Sequence, residues 1–320
     1  MRRAAVTGLV VALLAGTTAA FVITEELKLE RSPVTRPRFD RIFSPVCNCP
    51  REVARLVLRL RREETIDAVI VDDDGDPVRT LVSDLRRASG RLVFRWDGRN
   101  DAGAVVPEGP YRLRVHLAHE RRTIVIPNRV RVDTTPPAVE LESLAPTELS
   151  PDGDRRSDAA RITFSVSEGV HPLVVVDGDV AARGRWRAAG RSAVIWPGTK
   201  AGQPLPAGLY AVALQALDRA GNLSEPTTPT AVTIRYIELA GEGLRARRGG
   251  VLRFRVLTDA QDFRWSLRTR DARRPLLAGT AATATVATRL PASIRPGRYV
   301  LRASASGHSD EIAVVVQARP

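Results

Sequence analysis

Lysine is nearly missing from this chain. Lys28 and Lys200 are the two lysines, so the rest of the 49 basic side chains are arginine. That bias matches GC-rich codon usage at least as well as phosphate binding, which weakens a nucleic-acid reading of the +13 net charge. The arginines also alternate with apolar residues, as in Leu56-Val57-Leu58-Arg59-Leu60-Arg61 and Tyr111-Arg112-Leu113-Arg114-Val115. That is the pattern of a strand's solvent face. Two cysteines are too few for a disulfide framework, and one Met with seven Phe points to aliphatic, strand-built cores. Of the four histidines the one close pair is His116 and His119, which a strand directs to opposite faces, so the rings do not share a metal. There is no Gly-x-Ser-x-Gly elbow and no phosphate loop, so the chain carries no sign of catalysis or of a cofactor site.

Repetition dominates what is present. Three of the four tyrosines follow a Gly-x step and open an alternating strand: Gly109-Pro110-Tyr111, Gly208-Leu209-Tyr210 and Gly297-Arg298-Tyr299. The first two copies extend backwards through a loop to a tryptophan, from Trp96-Asp97-Gly98 through Asp101, Gly103 and Pro107, and from Trp196-Pro197-Gly198 through Pro206. Strand, rigid Gly/Pro loop and strand recur at a period of about a hundred residues, the mark of repeated modules. Short strands with frequent turn signals predict an all-β chain of tandem sandwiches, with helix confined to the N-terminus.

The string Trp-Asp-Gly-x-Asn-Asp-Ala-Gly-x-x-Val-Pro-x-Gly-x-Tyr resembles the signature of the Ig-like domain at the C-terminal end of the flagellar hook-capping protein, a domain found repeatedly in secreted bacterial proteins. The second module departs at Pro197 and the third keeps only the Pro-Gly-x-Tyr end. Val132-Asp133-Thr134-Thr135-Pro136-Pro137 and Ala216-Leu217-Asp218-Arg219-Ala220-Gly221-Asn222 are similar to the linkers and late strands of bacterial Ig-like arrays. The resemblance implies Ig-like domains at 43–136 and 137–236 and a third β-sandwich at 237–320. It further implies that Trp96, Trp196, Tyr111, Tyr210 and Tyr299 are structural, the tyrosines as corner residues bonded to a backbone group of the turn.

Ala4 to Ile23 carries no charge, follows Arg2-Arg3 and precedes Glu25-Glu26. It is long enough to span a bilayer and oriented to leave the remainder outside the cell, so residues 1–24 are expected to be a signal anchor. Cleavage after Thr18-Ala19-Ala20, giving a secreted protein, is the rival. Residues 25–42, with Pro33 and Pro37 and no period, are expected to form a stalk.

Several clusters hold residue types that can carry chemistry. Asp72-Asp73-Asp74-Gly75-Asp76 lacks the glutamate that completes a calcium loop and reads as a solvated turn. Asp152-Gly153-Asp154-Arg155-Arg156-Ser157-Asp158 is a better cation candidate, opposed by its two arginines. Ser306-Gly307-His308-Ser309-Asp310 holds the residue types of a hydrolytic triad, but neighbours on one turn do not place a nucleophile against a base held by a carboxylate. Cys47 and Cys49 form a disulfide only through a tight turn at Asn48. Trp186, among Arg183, Arg185, Arg187 and Arg191, is the best candidate for an exposed contact residue. The functional expectation is a membrane-tethered, extracytoplasmic scaffold or adhesion protein whose partner is a cell-envelope protein or wall polymer, not nucleic acid. Its rivals are a binding module for wall glycan or anionic polymer, with affinity in basic loops of the second or third domain, and an accessory subunit of an exported enzyme.

Overall fold

The computed structural model describes residues 12–18 and 32–318. It is nearly all β: outside a seven-residue helix at 12–18, the described residues form strands, turns and loops. No helix among them is long and apolar enough to cross a membrane. Most of the expected anchor, and residues 25–31 of the expected stalk, lie outside the described residues.

The chain divides into two compact units, residues 1–134 and 135–320. The first unit holds one sandwich, built from β1 (Val34–Phe39), β2 (Ile42–Phe43), β3 (Ala54–Leu60), β4 (Glu64–Val71), β5 (Pro77–Arg87), β6 (Gly90–Trp96), β7 (Gly109–Leu117) and β8 (Arg122–Val132). A three-stranded sheet, β1-β3-β6, faces a five-stranded sheet, β2-β8-β7-β4-β5. Strict alternation explains why these segments are strands. In β3 the residues Ala54, Leu56, Leu58 and Leu60 are buried while Arg55 and Arg59 are exposed, and β7 buries Tyr111, Leu113, Val115 and Leu117.

β1 corrects the expected stalk. Residues 34–39 pair antiparallel with β3, and Val34 is buried in the first core. The strand has a register shift between Thr35 and Arg38, with Arg36 at a φ of 51°. A bulge of this kind breaks the period of two on which strand recognition rests.

The second unit holds two further sandwiches with separate cores, one ending at Tyr236 and the next beginning at Ile237. The first comprises β9 (Val139–Ala145), β10 (Glu148–Leu149), β11 (Ala160–Val166), β12 (His171–Val176), β13 (Asp179–Arg183), β14 (Gly190–Trp196), β15 (Thr199–Lys200), β16 (Gln203–Pro204), β17 (Gly208–Leu217) and β18 (Thr230–Ile234). Its sheets are β14-β11-β9 and β10-β18-β17-β12-β13, with β15-β16 a small hairpin. The second comprises β19 (Glu238–Leu239), β20 (Leu244–Arg247), β21 (Val251–Leu257), β22 (Phe263–Arg268), β23 (Leu277–Ala281), β24 (Thr285–Arg289), β25 (Gly297–Ala305) and β26 (His308–Gln317), in sheets β19-β21-β24 and β20-β26-β25-β22-β23.

All three sandwiches share one plan. A short edge strand, β2, β10 or β20, joins the last strand of the domain in parallel, and every other pairing within the two main sheets is antiparallel. The third module, which keeps least of the repeated motif, keeps the whole topology.

Candidate functional site

The repeated residues converge on the turn between the two sheets. Trp96 and Trp196 are 1% and 0% exposed, and each indole Nε1 donates to a backbone carbonyl three residues on, Arg99 and Thr199, at 2.9 Å. The hydroxyls of Tyr111, Tyr210 and Tyr299 donate to the carbonyls of Pro107 (2.8 Å), Pro206 (2.9 Å) and Arg295 (2.8 Å). Tyr111 and Tyr299 are buried and Tyr210 is half-buried. Burial, with the Asp72 charge second, raises the Tyr111 phenol above its ordinary value. Glycine is required at the turn for space as well as for its φ of 69°: a Cβ on Gly98 would come within 2.7 Å of the Pro45 side chain, and one on Gly198 within 3.1 Å of Pro151.

Neighbouring polar residues pin the same loop. The Asp97 carboxylate accepts from the Arg99 amide, and Gly103 closes the turn by donating its amide to the Asn100 carbonyl. Asp101 accepts from both the amide and the hydroxyl of Thr80, tying the loop to β5. The Arg79 guanidinium on β5 also lies 3.9 Å from Asp101, and in the second sandwich Lys200 on the loop bonds Asp179 on β13 at 2.7 Å, so a charged tie recurs with acid and base exchanged. That hydrogen bond holds the Asp179 carboxyl below its ordinary value. Gly109, Gly208 and Gly297 each open the strand that follows.

Tyr111→Phe in the full chain should lower the stability of the first sandwich by about 1–3 kcal/mol, because the Pro107 carbonyl loses its donor. Denaturant unfolding measures this, and an unchanged midpoint would remove the hydroxyl from the list of stabilising contacts.

The expected contact residue is otherwise engaged. Trp186 is half-buried: it lies over Gly169, where a Cβ would come within 2.3 Å of the ring, its edge meets His171 with centroids 5.3 Å apart, and the Arg219 guanidinium covers its face at 4.3 Å. Those contacts engage the ring within its own domain and leave it half-buried rather than exposed. Cys47 and Cys49 are joined in a disulfide, with their Cα atoms 5.2 Å apart. Asn48 between them has a φ of 48°, the left-handed turn that shortens that span.

The triad-like string is dispersed. The His308 ring stacks on Tyr236 at 3.7 Å, Asp310 accepts from the Leu239 and Glu311 amides, and Ser309 accepts from Arg302. His116 bonds Thr123 and His119 is exposed. In the acidic turn, Asp72 accepts from the amides of Asp74 and Asp76, and Asp73 pairs with Arg112 and Arg129, so both side chains serve a hairpin. Asp218 and Asn222 are buried and bonded to each other: Asp218 accepts from the Gly221 and Asn222 amides and from the Asn222 side chain.

One acidic group differs, and part of it escapes sequence reasoning. Asp152 and Asp154, in the loop after β10, meet Asp259, in the loop after β21, with one carboxylate oxygen of each within 4.8 Å of the other two. Both Asp259 carboxylate oxygens are sealed from solvent and have no hydrogen-bond partner. Burial raises the Asp259 carboxyl above its ordinary value, the Asp154 and Asp152 charges add to this, and the Ser150 hydroxyl beside it opposes them.

The family model for the FlgD Ig-like domain matches residues 57–120. No curated protein sequence matches the chain. Among solved structures, the chain is similar to fibronectin(III)-like modules of Clostridium thermocellum CbhA, at 16% identity and a TM-score of 0.32 over 62% of this chain and 93% of that one. It is similar to the BSP domain of a biofilm associated protein, at 18% identity and 0.22 over 63% of this chain and 30% of that one. It is also similar to the I-band fragment I67–I69 of titin, at 13% identity and 0.28 over 89% and 100%. At these scores the neighbours bear on no residue or activity of this chain.

Proposed function

We propose that this chain is a non-catalytic scaffold or adhesion protein of the cell envelope, tethered through its N-terminal apolar segment and projecting three Ig-like sandwiches away from the membrane. The observation that carries the reading is the use made of the repeated residues. The tryptophans, tyrosines and loop acids are spent on holding turns and closing cores, so what the chain repeats is a rigid module rather than a reactive site. A row of such modules provides length and surface.

A second reading, binding of a wall glycan or anionic polymer, is favoured by a face of the first sandwich rather than by basic loops of the second or third. On the outer side of the β1-β3-β6 sheet, Arg55 lies opposite Arg95 and Arg59 opposite Arg91, with Arg38 opposite Val57 between them. All five arginines are exposed, and among the described residues none is in a salt bridge. Like charges directly opposite one another destabilise a sheet, and a polyanion would relieve that repulsion.

One experiment separates the two. Envelopes from cells making the full chain are washed with rising NaCl, and the retained protein is sequenced from its N-terminus. The tethered scaffold stays with the membrane throughout and keeps its apolar segment. Progressive release by salt, delayed by neither detergent nor its absence, belongs to the arginine face, since ions screen exposed charges. Mature protein beginning at Phe21 in the medium rules out the tether.

A further inference from the structure

We propose that Asp152, Asp154 and Asp259 bind a calcium ion at the junction of the second and third sandwiches, holding the loop after β10 to the loop after β21. Asp259 lies about a hundred residues beyond Asp152 and Asp154 in the chain, and one oxygen from each carboxylate, within 4.8 Å of the other two, fits around one ion bound at about 2.3–2.6 Å. An all-oxygen, carboxylate-rich set suits a hard divalent cation and not zinc or copper.

The acidic cluster alone would not carry this. The Asp259 carboxylate is the independent observation: both its oxygens are sealed from solvent without a hydrogen bond, although the hydroxyl of Ser150, itself 2% exposed and unbonded, lies beside them. A buried carboxylate without a partner is costly, and two more carboxylates beside it add to the cost. The available cation does not relieve it. The Arg156 guanidinium donates to the Asp259 backbone carbonyl at 3.4 Å, and among the described residues none of the three carboxylates is in a salt bridge. Asp152 Oδ1 accepts from the Asp154 amide and Asp154 Oδ1 from the Arg156 amide, which leaves the Oδ2 of each available.

The first sandwich shows that the loop's fold does not demand these acids. Ser44 and Ser150 open equivalent loops, each donating its amide to the carbonyl seven residues on, Arg51 or Ser157. Ser44 likewise has a buried hydroxyl without a partner, but Val46 and Asn48 stand where the second loop has Asp152 and Asp154, and the Cys47–Cys49 disulfide staples the turn. The same loop is thus closed covalently in one domain. In the other, the cation supplies the closure and reaches a neighbouring domain as well.

Isothermal titration of the full chain with CaCl2, after dialysis against chelator, should show one calcium per chain with an affinity of about 10⁻⁴–10⁻³ M, the range of extracellular modules. Asp259→Asn and Asp154→Asn should each weaken it at least tenfold, while Asp74→Asn in the first-domain turn leaves it unchanged. Asp154 is exposed, so its variant folds even if Asp259→Asn does not. No binding up to about 10 mM calcium, or binding unaffected by both site variants, would overturn the proposal.

Discussion

Trp96→Ala should lower the stability of the first sandwich by about 3–5 kcal/mol and leave the other two untouched, while Trp196→Ala does the same to the second alone. Each indole is fully enclosed, so truncation removes a large apolar surface and leaves a cavity that the two sheets cannot close. The cavity at Trp96 would strip Phe43 and Tyr111 of a ring partner at 5.5 and 5.0 Å. The Arg99 carbonyl would also lose its donor, loosening the loop that Asp101 ties to β5. Against a domain stability of about 5–15 kcal/mol this is a large fraction. In urea it amounts to a midpoint shift of about 2 M or more for a domain of this size. Full-length variants with several unfolding transitions provide the measurement: a single transition should move in each. Movement of the same transition by both variants would mean that the sandwiches do not unfold separately, and a shift below about 1 kcal/mol would mean that the indoles are not core residues.

What the sequence disclosed follows from where alternation is clean. β3, β6 and β7 alternate between a buried face and a more exposed one, and β4 does so up to Ile70, so each carries the period-2 signal. Strands that break this alternation are not legible from it. β1 carries its bulge at Arg36, and β9 has a register shift opposite Thr163 and Phe164 that leaves two consecutive exposed residues in Val139–Ala145. β13 and β23 are edge strands: β13 buries only Ala181 and β23 buries no residue, so they carry little apolar signal. The same distinction governs the candidate cation site. Asp152 and Asp154 were visible because spacing within one loop is a property of the sequence. Asp259 was not, because only the packing of the third sandwich on the second brings it there. Trp186 failed in the opposite direction. A basic neighbourhood suggests exposure, but Gly169 leaves a space that the ring fills, and no local pattern signals it.

The bulged first strand makes the domain boundary measurable. A fragment of residues 32–134 should fold cooperatively on its own, whereas 43–134 should be less stable by about 3 kcal/mol or more, or aggregate. Removing residues 32–42 deletes β1, takes Val34 out of a core where burial of a valine contributes about 1.5–3 kcal/mol, and withdraws Phe39 from the same cluster. It also removes Ile42, which pairs with Arg131 in the opposite sheet. β3 then becomes an edge, presenting the backbone of Ala54 to Leu60 to other chains. Its outer arginines would oppose pairing between copies, which favours a destabilised monomer over aggregate at low salt and aggregate at high salt. Circular dichroism with denaturant, run on both fragments at two ionic strengths, distinguishes these outcomes. Equal midpoints for the two fragments would show that β1 contributes nothing to the fold, and that residues 34–39 belong to the stalk that Pro33 and Pro37 suggest.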